Sequence, residues 1–373
     1  MLKRLYADNY KCLVNFEVTF GELALLLGPN GVGKSSVLDV MFALHKLLSG
    51  TVKVTDTAPD EIFPGKTLTR WQKRNAQVFE IDVTVEGVGD MSYRLEVEHE
   101  RNTRRARIVL ERLTTEGKPL FEFVHGTVQL YRDNHSPGPS FSADWSESYL
   151  ARVPPGDDNV KLTRFLEFVR RIQVCGLYPK KFRTESRNED RLLLRDGSNF
   201  SAWYRHIFQE RQDLVPEYTA ALVEVIEGFK SIRMATVGEE TRALMVVFEE
   251  RGERYELHLD ELSDGQRALL AVYALLHMTK EQGYTLFLDE PDNFVALAEI
   301  QPWIMALSDS CGLTIPQVVI CSHHPELIDY LGGDCGLLLK KESSGATVAR
   351  KPTVGPDSAG LKLSELVARG WER

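Results

Sequence analysis

The 373-residue sequence has only five cysteines (Cys12, Cys175, Cys311, Cys321 and Cys335), and no two form a C-x-x-C pair. That supports neither a zinc knuckle nor a disulfide framework, so a reducing cytoplasm is the expected compartment. No stretch approaches the roughly 18 uninterrupted apolar residues of a spanning helix, and Met1-Leu2-Lys3-Arg4 leads into no apolar signal core. No membrane segment is expected. Excess positive charge is also missing: 45 Lys and Arg stand against 54 Asp and Glu, a net −9. The chain as a whole repels a polyanion, so contact with DNA or RNA needs a local basic patch. Two runs qualify, Arg101, Arg104, Arg105 and Arg107, and Lys180, Lys181, Arg183 and Arg187. Repeats, low-complexity tracts and sustained heptads are absent, which argues against a long coiled-coil arm. With 43% hydrophobic and 27% charged residues the chain has ordinary globular composition, long enough for two domains or for one large domain carrying insertions.

The pattern along the chain begins with short strands at residues 2–7 and 14–20, then an apolar run at 23–27 suited to a strand buried on both faces. Glycines follow, and then Val37, Val40, Met41, Leu44, Leu47 and Leu48 recur at helical spacing up to a C-cap at Gly50. From 77 to 132 the period changes to two, which predicts an antiparallel β-rich lobe. Prolines and glycines between 137 and 156 predict a long surface connection. Residues 160–228 read as mostly helical, and a hairpin turns at Gly252. The last third returns to α/β order, with a helix at 266–278, strands at 285–288, 317–321 and 336–340, and a short helix from Pro325.

Four segments carry chemistry. Gly28-Pro29-Asn30-Gly31-Val32-Gly33-Lys34-Ser35 fits G-x-x-x-x-G-K-[ST] and lies between a buried strand and an amphipathic helix, the setting a P-loop requires. Its glycines let backbone N–H groups converge on phosphate oxygens, Lys34 supplies a point charge to the β- and γ-phosphates, and Ser35 supplies a hydroxyl for Mg²⁺. In Leu286-Phe287-Leu288-Asp289-Glu290-Pro291 an apolar strand ends in two carboxylates. Strand alternation points them apart, Asp289 toward the metal and Glu290 toward attacking water as general base. Leu262-Ser263-Asp264-Gly265-Gln266 precedes an apolar helix. Read alone, Ser263 or Asp264 is an N-cap, but a serine and a glycine N–H at a helix start also form an anion site. Finally, Val319-Ile320-Cys321-Ser322-His323-His324-Pro325 places histidines at a strand end, with His323 the better candidate to contact a γ-phosphate.

Taken in order, these segments resemble the ABC-class ATPases, with LSDGQ the most specific of them. Within that class GPNGVGKS, the opening Asn9-Tyr10-Lys11 and Ser-His-x-Pro-Glu-Leu at 322–327 resemble the soluble RecF-like and SMC-like heads. The segment Leu194-Arg195-Asp196-Gly197-Ser198-Asn199-Phe200 is similar to bacterial ATPases related to the ATPase halves of OLD-family nucleases and anti-phage defence systems. The resemblance implies an α/β ABC-type head, a mixed sheet flanked by helices, with a β-rich lobe and a helical lobe inserted between P-loop and signature motif. It also implies that Gly28, Asn30, Gly31, Gly33, Lys34, Ser35 and Ser36 bind ATP and that Asp289 and Glu290 act on Mg²⁺ and water. Ser263, Gly265 and Gln266 would contact the γ-phosphate held by the other subunit of a head-to-tail homodimer. After the acidic pair this chain has Asp292-Asn293-Phe294 where relatives often carry a further aspartate or a His-Pro pair, and its Q-loop glutamine is open among Gln77, Gln129 and Gln173.

The expected division is a nucleotide-binding core at 1–60 and 255–350, a β-rich lobe at 61–150, a helical lobe with hairpin at 151–254 and a tail at 351–373. The expected function is an ATP-hydrolysing ABC-class ATPase that controls a separate effector such as a nuclease or toxin in prokaryotic defence. A RecF-like DNA-binding ATPase is the alternative. Too little chain follows His323 for a complete Toprim nuclease domain, so a damaging activity is expected in another chain.

Overall fold

The computed structural model describes residues 1–100, 105–352 and 361–369. Arg101 and Arg104, and most of the tail from 351, lie outside the described residues. In chain order the elements are β1 (Leu2–Asp8), β2 (Phe16–Thr19), β3 (Leu23–Leu27), α1 (Lys34–Leu48), β4 (Ala76–Val85), β5 (Gly89–His99), β6 (Ala106–Thr115), β7 (Lys118–Val124), β8 (Thr127–Tyr131), β9 (Pro137–Ser142) and α2 (Val160–Arg170). They continue with β10 (Ile172–Cys175), β11 (Glu185–Ser186), α3 (Phe200–Glu210), α4 (Val215–Val225), β12 (Phe229–Val237), β13 (Thr241–Glu250), β14 (Glu253–His258), α5 (Asp264–His277), β15 (Thr285–Asp289), α6 (Leu297–Ser310), β16 (Gln317–Cys321) and α7 (Pro325–Cys335). β17 (Gly336–Lys341), β18 (Thr347–Arg350) and α8 (Leu363–Arg369) complete the described chain. Two compact units result, one of residues 1–172 and 332–373, the other of 173–331.

The first unit contains an eight-stranded sheet in the order β2-β1-β4-β5-β6-β7-β8-β9, with neighbours antiparallel. Alternation along β4 buries Phe79, Ile81 and Val83 on one face, because successive side chains in a pleated strand point to opposite sides. α2 covers part of that face: Phe165 stacks on Tyr93 with ring centroids 5.7 Å apart. The same unit pairs β3 in parallel with β17, and β17 antiparallel with β18. β3 is all aliphatic, and Ala24 to Leu27 are essentially without exposure, as a strand covered on both faces requires.

The prolines at 137–139 do not make a loop. They lie in β9, which pairs with β8 at the end of the sheet. Proline cannot donate to a ladder, but an edge strand has one side without a partner strand and tolerates it. Only the remainder, through Pro154 and Gly156, is a connection between strand and helix.

In the second unit β15 and β16 run parallel in register from Thr285↔Gln317 to Asp289↔Cys321, and β13 pairs with β11, β12 and β14 in a small antiparallel sheet. α5 is buried from Ala268 to His277, all round its circumference, as expected of a central helix. Tyr218 of α4 donates to the Leu270 carbonyl at 2.9 Å, and Trp303 of α6 donates to the Val272 carbonyl at 3.0 Å, so both neighbours are pinned to its backbone. Among the described residues no helix is long and apolar enough to cross a membrane.

Candidate functional site

The first unit supplies the glycine loop. Immediately after β3 the backbone takes positive φ at Gly28 (133°), Gly31 (75°) and Gly33 (110°), a region that side chains with a Cβ rarely enter. Gly33 is also the N-cap of α1, and a Cβ there would lie 2.6 Å from Cys12 Sγ. The loop is clamped from outside: Thr347 Oγ1 donates to the Val32 carbonyl at 2.6 Å, and the Thr347 N–H donates to the Cys12 carbonyl at 3.1 Å. Lys34 is buried and folds back over the loop, donating to the Gly28 carbonyl at 2.7 Å and the Pro29 carbonyl at 3.2 Å. Ser35 is exposed and Ser36 buried. No carboxylate sits in the first turn of α1, so nothing there offsets the positive end of the helix dipole.

The second unit brings together the acidic pair, the histidine and the signature segment. β15 stops at Asp289, and Glu290 has φ of 49°, its N–H donating to the Cys321 carbonyl at 2.8 Å. The two carboxylates therefore diverge because the backbone leaves the strand conformation between them; continued alternation is not the cause. Glu290 Oε1 stands 3.9 Å from His323 Nε2, and Asn293 Nδ2 donates to Glu290 Oε2 at 2.6 Å. Glu290 and His323 are 40% and 41% exposed, so a water molecule can reach the carboxylate. His324 does something else. Its N–H donates to Ser322 Oγ at 2.9 Å and its Nδ1 accepts from the Glu326 N–H at 3.2 Å, which ties the start of α7. Half-buried Asp292 accepts from Ser322, leaves Oδ1 without a partner, and has its pKa raised by burial.

Asp289 faces Arg195, whose Nη2 lies 3.9 Å from Oδ2. The sequence motif around Arg195 explains its placement. The Gly176 N–H donates to the Arg195 carbonyl and the Tyr178 N–H to the Asp196 carbonyl. Asn199 Oδ1 accepts from the Leu194 N–H at 2.7 Å, and Gly197 takes φ of 74° against the Phe182 ring, where no side chain fits. Sequence reasoning singled out this motif but missed its arginine as a neighbour of the acidic strand.

The signature segment caps α5. Ser263 Oγ accepts from the Gln266 N–H at 3.2 Å, and Gln266 Oε1 accepts from the Ser263 N–H at 3.0 Å, a reciprocal capping box. Ser263 remains exposed, with its own hydroxyl proton available. Asp264 would repel an anion at this helix start, but Arg267 pairs with it at 2.8 Å and Lys180 lies 3.9 Å away. Gly265 is required by close approach: a Cβ would sit 2.7 Å from the Phe294 carbonyl oxygen. The loop after the acidic pair thus rests on the signature glycine.

Each Q-loop candidate has its side chain engaged. Gln77 donates to the Asn9 carbonyl and Thr67, Gln129 to the Leu130 and Gly138 carbonyls, and Gln173 to the Leu193 carbonyl at 2.7 Å. Much of the described basic charge is paired too, with Arg107 held by Glu98 and Lys181 by Asp196.

A P-loop after a buried parallel strand, an acid-terminated strand and a serine-capped signature helix define an ABC-class P-loop ATPase. The chain belongs to the family described as "AAA domain, putative AbiEii toxin, Type IV TA system", whose model matches residues 23–329. It is similar to the cytochrome c biogenesis ATP-binding export protein CcmA of Paracoccus denitrificans, at 28% identity over 131 residues, 32% of this chain and 62% of that protein. It is also similar to the OLD nuclease of Thermus scotoductus, at 45% identity over 38 residues, 10% of this chain and 7% of that one. The chain therefore spans less than two thirds of either relative. The fold is that of an SMC head: the crystal structure of an SMC head bound to the C-terminal winged-helix domain of ScpA superposes with a TM-score of 0.58 at 13% identity, covering 96% of this chain and 99% of that one.

Proposed function

We propose that this ATPase hydrolyses ATP with Mg²⁺ at sites shared between two head-to-tail copies, and that the nucleotide state governs a separate effector protein. The observation that carries the hydrolytic reading is Glu290, with one oxygen fixed by Asn293 and the other facing His323. A carboxylate oriented in this way accepts a proton from a water positioned beside it, and His323 would hydrogen-bond the anionic phosphoryl group. Gly28, Gly31 and Gly33 hold the positive φ that lets the loop curl with its N–H groups toward a phosphate, and at Gly31 the space a Cβ would fill is open. Asn30, Lys34, Ser35 and Ser36 complete the binding residues. The hydroxyl of Ser35 and the carboxylate of Asp289 are hard oxygen donors of the kind Mg²⁺ takes, and the ion would neutralise charge on the phosphates.

Ser263, Gly265 and Gln266 are proposed to meet the γ-phosphate bound by the second copy. Their support is an exposed helix start whose first-turn acid, Asp264, is already ion-paired. The family description and the OLD nuclease similarity favour a defence setting, and the SMC head's complex with ScpA is a precedent for a protein partner. Cytoplasmic location follows from that reading. The test is phosphate release and nucleotide affinity in two variants. Glu290→Gln is expected to keep ATP affinity and lose about 10²- to 10⁴-fold in turnover, and Lys34→Ala to lose affinity itself. Turnover close to that of the unmodified protein in Glu290→Gln removes the base assignment.

A further inference from the structure

Outside the nucleotide segments the first unit has an open cleft of about 280 Å³ between the segment that precedes β4 and the end of β5. Lys66, Arg70, Lys73 and Arg74 line it, and Glu100 is the one carboxylate in the lining. Arg74 is held by Asp8, but Lys66, Arg70 and Lys73 form no ion pair among the described residues. A cluster of unpaired cations in a chain of net charge −9 calls for an explanation by a ligand of opposite sign.

The lining carries a second, independent signal. Thr69 and His99 both border the cleft, each is 2% exposed, and Thr69 Oγ1 and His99 Nδ1 have no hydrogen-bond partner among the described residues. Buried polar atoms are normally satisfied, so two orphans at one cleft mark groups awaiting a partner. The state of His99 follows from its neighbours. Gln77 Nε2 donates to the Asn9 carbonyl, which can only accept, so Gln77 Oε1 must be the atom facing His99 Nε2 at 2.9 Å, and that nitrogen carries the proton. Burial lowers the His99 pKa and keeps the ring neutral, leaving a lone pair on Nδ1. The Thr69 hydroxyl can donate to an anion, whereas His99 Nδ1 needs a donor such as a hydroxyl. A phosphate with a sugar hydroxyl beside it offers both.

We propose that this cleft binds the phosphate and sugar of a nucleotide unit, supplied either by a nucleic-acid strand or by a free nucleotide, at a site distinct from the P-loop. The supporting framework is rigid. Asn9 Nδ2 donates to the carbonyls of Arg74 and Ala76, and the Lys11 N–H donates to the Thr67 carbonyl, so the turn after β1 fixes the whole lining segment.

The experiment uses the full chain with Lys34→Ala as background, which separates this site from the proposed ATP site. Fluorescent single-stranded oligoribonucleotide and oligodeoxyribonucleotide are titrated across a range of salt, with AMP and inorganic phosphate measured in parallel by calorimetry. The double reversal Arg70→Glu with Lys73→Glu is expected to weaken oligonucleotide binding at least about tenfold and to reduce the salt slope by about 1.4, since each lost phosphate contact on a single strand removes about 0.7. Thr69→Val, a near-isosteric change, is expected to weaken binding without altering the slope. A loss confined to AMP and phosphate assigns the site to free nucleotides. Binding of every probe unchanged in both variants, or no binding by any probe to the background chain, overturns the proposal; matched thermal unfolding midpoints show that the variants are folded.

Discussion

Glu290 Oε2 accepts a 2.6 Å hydrogen bond from Asn293 Nδ2, three residues along the same loop. The bond leaves Oε1 as the oxygen toward His323, so Asn293 sets which lone pairs of the carboxylate remain for water. Asn293→Ala is expected to lower turnover roughly tenfold with ATP affinity retained, because it frees the carboxylate to rotate. In a Glu290→Gln background the same change is expected to cost little more. Additive losses in steady-state phosphate release, in place of this saturation, place Asn293 outside the catalytic arrangement.

Ser263 caps α5 and is proposed to meet a γ-phosphate, and substitutions can separate the two. Ser263→Ala removes the cap of α5 and is expected to destabilise the protein by about 1 kcal/mol. Ser263→Asp keeps a good capping oxygen but adds a negative charge at the proposed γ-phosphate contact, so hydrolysis is expected to collapse while the urea midpoint holds. Active Ser263→Asp protein contradicts the phosphate contact.

Shared sites predict complementation. Chains carrying Lys34→Ala are expected to be inactive, as are chains carrying Ser263→Arg, yet a mixture of the two forms heterodimers with one site damaged twice and one intact. Hydrolysis returning on mixing, up to about half the specific activity of an intact dimer if the sites fire independently, supports the arrangement. The readout is phosphate release against mixing ratio, with heterodimer formation confirmed by differently tagged chains; heterodimers with no recovery count against independent shared sites.

Glu111 in β6 is fully buried, accepting from Tyr93 at 2.9 Å and Ser148 at 2.5 Å, and burial pushes its pKa up from 4.5 to about 7. The folded-state pKa lies above the unfolded one, so the unfolded chain loses its proton first as pH rises. Its contribution to stability is full below pH 4.5 and is lost progressively up to about pH 7, an effect on the order of 3 kcal/mol. Glu111→Gln retains an accepting oxygen without a charge to bury, and its urea midpoint is expected to fall less than that of the unmodified protein between pH 5 and pH 7. Parallel curves for the two proteins rule out this titration.

The local structure of the P-loop segment was legible because it depends on local pattern. An apolar strand, positive-φ glycines and a helix start at residues 23–48 are contiguous, and the P-loop spacing specifies them together. The SMC-like mixed fold was legible for the same reason, through alternation in β4 and β5 and helical spacing in α1 and α5. β9 was not, since its prolines signal a turn until the sheet supplies an edge. β12 was not either: its polar residues give no clear alternation, and it is held as a strand by its ladder to β13. The divergence of Asp289 and Glu290 was expected, but from the wrong cause, because a non-glycine residue at φ of 49° leaves no mark in the sequence. Arg195 reaches Asp289 only through the folding of the segment around Gly197, a contact between positions far apart in the chain.

The seat of the Phe294 carbonyl on Gly265 has an evolutionary consequence. Any side chain acquired at position 265 displaces the loop that carries Asn293, so the two segments are not free to drift separately. Lineages that alter the glycine are expected to show a compensating deletion or rebuilt turn between positions 290 and 296, a paired change that can be sought in any collection of relatives.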